Sequence, residues 1–176
     1  MRKLITLLTL LCCLIFAAGC FNSDKPVPNK PTQPVQTKTK QTLVVYRASA
    51  DGRELLLPET IVMEDNGKPA LENALTALVA TKPQEAKYAD VIPIGTRVLS
   101  LKLDKGTAYA DFSKELLKKE QGSYEQMMAV YAIVNTLTEY TEVKRVQILV
   151  EGDKVVSGHL DLEEPIVRNT TLLPKK

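Results

Sequence analysis

The sequence has no tryptophan, a single histidine and three cysteines among 176 residues. One histidine, His159, leaves little material for an imidazole-based catalytic centre, and a conventional zinc site lacks ligands. Cys12 and Cys13 lie inside an apolar N-terminal run, so Cys20 would stand alone downstream of it and no internal disulfide could form. An excess of one charge is missing as well: 23 basic side chains face 21 acidic ones, for a net charge of +2. That balance hides a gradient. Residues 1–40 hold six of the basic groups (Arg2, Lys3, Lys25, Lys30, Lys38, Lys40) and one acid, Asp24, which leaves residues 41–176 with 17 basic and 20 acidic side chains. A mildly acidic body without a Lys/Arg stripe or an aromatic platform is a poor partner for phosphate backbones, which argues against nucleic-acid binding. Glycine-rich phosphate loops and metal-spaced ligand clusters are absent too, so the sequence suggests no cofactor.

What is present starts with a leader. Met1-Arg2-Lys3 is a short basic stretch, Leu4 to Phe16 is apolar apart from Thr6 and Thr9, and Ala17-Ala18-Gly19 precedes Cys20. This is the layout of a secretory signal. From Leu4 to Gly19 it is about 16 residues long, short of the roughly 20 that a membrane span needs. The Ala17-Ala18-Gly19-Cys20 ending resembles the bacterial lipobox, with Ala17 where leucine is commonest. The resemblance implies cleavage before Cys20 and acylation of that cysteine. Two or three acyl chains at ~0.8 kcal/mol per buried CH₂ anchor a protein firmly. The expected location is the extracytoplasmic face of a membrane, inner or outer if the envelope has two.

Residues 20–40 then read as a tether. Pro26, Pro28, Pro31 and Pro34 punctuate a polar, lysine- and threonine-rich stretch that cannot bury enough surface to offset its ordering entropy. Its reach is up to ~60 Å as polyproline II and ~25 Å as a flexible coil. Residues 41–176 form the domain, long enough to bury ~60–70% of its unfolded surface without disulfides or metal.

Within the domain, Leu43 to Tyr46 predicts a strand closing at Asp51-Gly52, and Leu55–Pro58 and Ile61–Met63 predict extended pieces, the first kept to an edge or loop by Pro58. Pro69 opens a helix whose inward face is Leu71, Ala74, Leu75, Leu78 and Val79, stopped by Lys82-Pro83. Leu99, Leu101 and Leu103 alternate with polar residues, and Ala108, Ala110 and Phe112 do so after a three-residue Asp104-Lys105-Gly106 loop: a hairpin. Ser113 and Asp111 would cap a short helix running to Lys119, with Phe112 in the core. Ser123 and Gln126 form a capping-box signature before a long helix carrying Met127, Val130, Val134 and Leu137 inward. Arg145–Glu151 alternates, Gly152-Asp153 turns into a weak strand at Val155-Val156, and the chain from His159 onward covers an edge. The order is βαββαβ with β additions at both ends, which predicts an α+β sheet with two helices packed on one face.

Individual polar residues admit sharper readings. Asn135 and Thr136, mid-helix among apolar neighbours, predict hydrogen bonds to buried backbone or to the next element. A Ser113–His159–Asp161 triad for cell-wall or ester hydrolysis is an alternative function, although no nucleophile elbow or oxyanion hole accompanies it. Glu163-Glu164 and Glu139/Glu142 read as solvated charge. Asn169-Thr170-Thr171 matches a glycosylation acceptor, discounted because the leader is bacterial.

Five segments in order carry a family resemblance: Ile92-Pro93-Ile94-Gly95-Thr96, Ala108 to Ser113, Asn135 to Glu139, Val146 to Gly152 and Gly158 to Asp161. Over about residues 43 to 170 the chain resembles the GerMN domain of bacterial sporulation and spore-germination lipoproteins. It departs at Lys82-Pro83, where the family usually reads Gly-Pro. The resemblance implies a fold akin to the ring-building motif of secretion and sporulation channels. It also implies an extracytoplasmic assembly or localisation factor rather than an enzyme, with an envelope protein as partner. The best-studied members carry two such domains; this sequence has room for one.

Overall fold

The computed structural model describes residues 39–117, 122–157 and 160–175, all within one unit, Thr37–Lys176. The leader, Cys20, the tether up to residue 38 and His159 lie outside the described residues. Strand β1 (Lys40–Ser49) is followed by β2 (Leu56–Glu64), helix α1 (Ala70–Ala80), β3 (Tyr88–Ala89), the hairpin β4 (Val98–Asp104) and β5 (Thr107–Phe112), helix α2 (Ser123–Leu137), β6 (Arg145–Val150), β7 (Val156–Ser157) and β8 (Leu160–Asp161). A 3₁₀ turn, Lys114–Leu117, precedes α2.

The α+β class with two helices holds, and six of the eight strands among the described residues divide between two three-stranded sheets, β2-β1-β3 and β4-β5-β6, with β7 and β8 paired as a separate ribbon. The first strand is not part of the hairpin sheet but the centre of its own: it pairs antiparallel with β2 from Lys40↔Glu64 to Ala48↔Leu56 on one edge and with β3 at Ala48↔Ala89 and Ser49↔Tyr88 on the other. Pro58 sits inside β2 opposite Tyr46, tolerated because β2 is an edge strand whose outer N–H groups need no partner. Both helices pack on β1 and on each other, while α1 also touches β4 and α2 touches β6. β5 and β6 run parallel, joined through α2 as a βαβ crossover.

The hairpin loop has two residues rather than three. Asp104 pairs with Thr107, and both Lys105 (φ 46°) and Gly106 (φ 78°) adopt the left-handed region, as a type I′ turn demands. Ala108, Ala110 and Phe112 then lie fully buried on the central strand. On the outer strand β4, a bulge between Val98 and Ser100 interrupts the register, and Leu99 and Leu103 remain exposed. The chain after β8 covers the β6 edge through Val146 and Ile166, which exchange two backbone bonds of 2.8 Å.

Helix ends depart from the capping expectations. Gly122, not Ser123, is the N-cap of α2, its carbonyl accepting the Gln126 N–H at 3.1 Å, so the Ser123/Gln126 box is not formed. Met127 is half-buried and Met128 takes the core position. Asp111 accepts the Gly152 N–H in the turn after β6 (2.9 Å), and the Lys114 N–H goes to Glu151 (3.0 Å). Ser113 accepts the Arg97 N–H through Oγ (3.0 Å) and so joins the two ends of the hairpin.

Asn135 and Thr136 do what mid-helix polar residues predict. Thr136 Oγ1 accepts the buried Tyr46 N–H at 2.9 Å, tying α2 to β1. Asn135 holds the returning chain at both its amide atoms, donating to the Asn169 carbonyl (3.1 Å) and accepting the Asn169 N–H (3.0 Å). Thr136→Val keeps the shape and strands the Tyr46 N–H. Urea melts should show a loss of about 1–3 kcal/mol, and an unchanged midpoint would refute this tie.

Candidate binding groove

A buried ion pair sets the position of one groove wall. Arg47 follows Leu43 and Val45 on the inward face of β1, and Glu59 lies opposite Val45 in β2, so the two charges share a face diagonally. Arg47 is 0% exposed and Glu59 2%. The guanidinium Nε donates to Glu59 at 2.5 Å, its Nη2 to the Thr81 carbonyl (2.9 Å) and hydroxyl (2.8 Å), and Nη1 lies 3.4 Å from Asp90. The other Glu59 oxygen accepts the Gln84 N–H at 2.7 Å. Thr81 is the C-cap of α1, where a cation also complements the negative end of the helix dipole. One cation thus fixes the exit of α1 and the loop that follows.

That loop leads into β3 and then Asp90–Ile94. Here Pro93 to Thr96 forms a tight turn: the Thr96 N–H (3.1 Å) and Oγ1 (2.7 Å) both donate to the Pro93 carbonyl, and Gly95 sits at φ 91°, the positive value that the third position of a type II turn requires. The turn lifts Ile94 into solvent, where it is 81% exposed.

The facing wall is the end of β1 and its turn. Ser49 Oγ donates to Asp51 at 2.6 Å, and Asp51 also accepts the Arg53 N–H. These bonds, Ser49 first, hold the Asp51 carboxyl below its usual range. The first turn of α2 closes the far end with Tyr124, 39% exposed, and buried Met128 and Ile92 lie at the bottom. The resulting cavity is about 630 Å³, within the size range of ligand sites. Its lining is mainly apolar. Burial, then the charges of Glu54 and Glu125, push the Tyr124 hydroxyl pKa upward.

The two described members of the Ser113–His159–Asp161 triad are engaged in other contacts. Ser113 is fully buried, held against the Arg97 backbone, which denies a substrate access to its hydroxyl. Asp161 is exposed and accepts the Glu163 N–H at 2.9 Å, and His159 is outside the described residues. Glu139 serves structure, accepting hydrogen bonds from Tyr46 (2.9 Å) and Arg168 (2.8 Å). Glu142, Glu163 and Glu164 are exposed. Among the described residues no group of three or more His, Cys, Asp or Glu could hold a metal ion, and no helix is long and apolar enough to cross a membrane.

Two helices and two small sheets, with an exposed groove beside the Ile92–Thr96 segment, define a mixed α+β domain of the GerMN type. The chain matches the model of the Germane family, described as sporulation and spore germination, over residues 44–156, and it belongs to that family. The fold is similar to the tandem GerMN domains of the sporulation protein GerM from Bacillus subtilis (TM-score 0.65, 22% identity, 82% of this chain and 51% of that one). The chain therefore spans about half the length of that tandem structure. It is also similar to the first GerMN domain of GerM alone (TM-score 0.55, 23% identity, 65% of this chain and 86% of that one). A Clostridium perfringens structure named as a candidate lipoprotein is similar too (TM-score 0.52, 19% identity, 73% of this chain and 87% of that one). No curated protein matches the chain.

Proposed function

We propose that the chain is an extracytoplasmic interaction module, anchored to the membrane through lipidated Cys20, that binds an envelope partner in the groove between Ile94 and Tyr124 and acts in envelope assembly or localisation. The observation that carries the reading is the presentation of Ile94: a built turn holds a large apolar side chain in water beside a mainly apolar cavity, and concave, mostly apolar clefts of this size are the usual form of a binding site. Family membership supports a role in sporulation or germination where the source forms spores. The Ala17-Ala18-Gly19-Cys20 signature and proline-rich tether support the anchor.

Two experiments test the two halves. Labelling cells with an alkyne fatty acid should mark the wild type and spare Cys20→Ala; equal labelling refutes the anchor. Affinity recovery of the tagged full chain should yield a reproducible envelope partner from wild type, and Ile94→Asp should lose it with an unchanged melt, since an exposed side chain carries little stability. Retention of the partner by Ile94→Asp would refute the groove.

A further inference from the structure

The charges around the groove are distributed unequally, and this deepens the proposal above by assigning a chemistry to the partner. Arg53 pairs with Asp51 at 2.7 Å, and Lys82 pairs with Asp90 at 2.7 Å, so both rim cations are neutralised by neighbours. Asp90 is held from the other side by Arg47. Glu54 and Glu125, both exposed, have no cationic partner among the described residues; both line the cavity together with Tyr124, and after burial the charge of each raises the pKa of the Tyr124 hydroxyl. Glu125 lies in the first turn of α2 with its carboxylate folded back beside Gly122, where its charge favours the helix. The apolar lining is thus joined by two carboxylates that are unmatched among the described residues, on a domain body whose charge is already net acidic.

We infer that the groove takes an apolar peptide segment of the partner flanked by lysine or arginine, its apolar side chains against Ile94, Ile92 and Met128 and its cation beside Glu54 and Glu125. Charge complementarity selects this occupant over an acidic peptide or a neutral glycan, because like charges placed at a rim oppose encounter and opposite charges speed it.

The probe is a fluorescein-labelled peptide of three leucines flanked by two lysines, compared with its glutamate-flanked counterpart, titrated by fluorescence anisotropy against the detergent-solubilised full chain. The lysine peptide should bind about tenfold more tightly, the order expected for two exposed ion pairs, and the gap should shrink at high salt. Glu54→Lys with Glu125→Lys should reverse the preference, Glu54→Gln with Glu125→Gln should flatten it, and Ile94→Asp should remove both affinities. Equal affinities, no binding of either peptide, or a preference untouched by charge reversal would overturn the inference. So would binding of a soluble glycan fragment in place of the peptide, or self-association lost in Ile94→Asp, which would make a second copy the occupant. If the Ile94-dependent envelope partner persists while the lysine peptide fails, only the assigned chemistry falls; if both fail, the groove reading falls with it.

Discussion

Arg47→Ala is expected to destabilise the domain by about 3–5 kcal/mol, the cost of leaving one half of a buried ion pair behind. The Glu59 carboxylate, 2% exposed, would keep only the Gln84 N–H, and the Thr81 carbonyl at the end of α1 would lose its guanidinium donor. Replacing both charges by apolar residues of similar size, Arg47→Met with Glu59→Leu, should recover much of that loss, because neither charge is then stranded. Urea melts of the single and double variants check both statements. A loss for Arg47→Ala within about 1 kcal/mol, the size of a surface ion pair, would mean that this pair is solvated in solution.

Phe112→Ala should cost a similar amount, about 3–5 kcal/mol, since a fully buried ring leaves a cavity that the sheet cannot close. Its neighbours give a graded control. Ser113→Ala removes the acceptor of the Arg97 N–H from a buried position, and should cost about 1–3 kcal/mol. Asp111→Ala frees only the Gly152 N–H in an exposed turn, where water can replace the lost acceptor, and should cost about 0.5–1.5 kcal/mol. The order Phe112, Ser113, Asp111 in urea midpoints is the expected result. An equal or larger effect of Asp111→Ala would contradict the packing described for β5.

These residues also show how far the sequence could be read. Alternation placed Ala108, Ala110 and Phe112 inward correctly, because the period of a strand is a property of the chain itself. It could not tell which tertiary partner would receive Asp111 or Ser113. The acceptors expected at a helix start serve the turn at Gly152 and the strand at Arg97 instead. In the same way, Ser123 looked like a cap, but the chain enters α2 one residue earlier, at Gly122. Thr136 and Asn135 were legible as bonded core residues, since a buried hydroxyl or amide needs a partner wherever it lies; the identities of Tyr46 and Asn169 were not.

The groove was less legible. Its floor depends on β1, the 90–94 segment and α2 meeting in space, although the sequence had already singled out Ile92–Thr96 as a family segment. One local signal for its support was available. Arg47 and Glu59 occupy inward slots of two alternating strands, Leu43-x-Val45-x-Arg47 and Glu59-x-Ile61, and opposite charges in such slots point to a buried pair. The division of the strands into two sheets was not local at all, because the β1–β2 pairing competes with a single larger sheet only once both partners are in register.

The most direct test of the interaction-module reading is site-specific photocrosslinking in the intact envelope. A benzoylphenylalanine placed at Ile94, on the groove, should capture a discrete protein partner, while the same group at Val62, 56% exposed on the outer strand β2, should not. Capture at Val62 with none at Ile94 would contradict the account and move the binding surface to the open edge of the β1–β2 sheet.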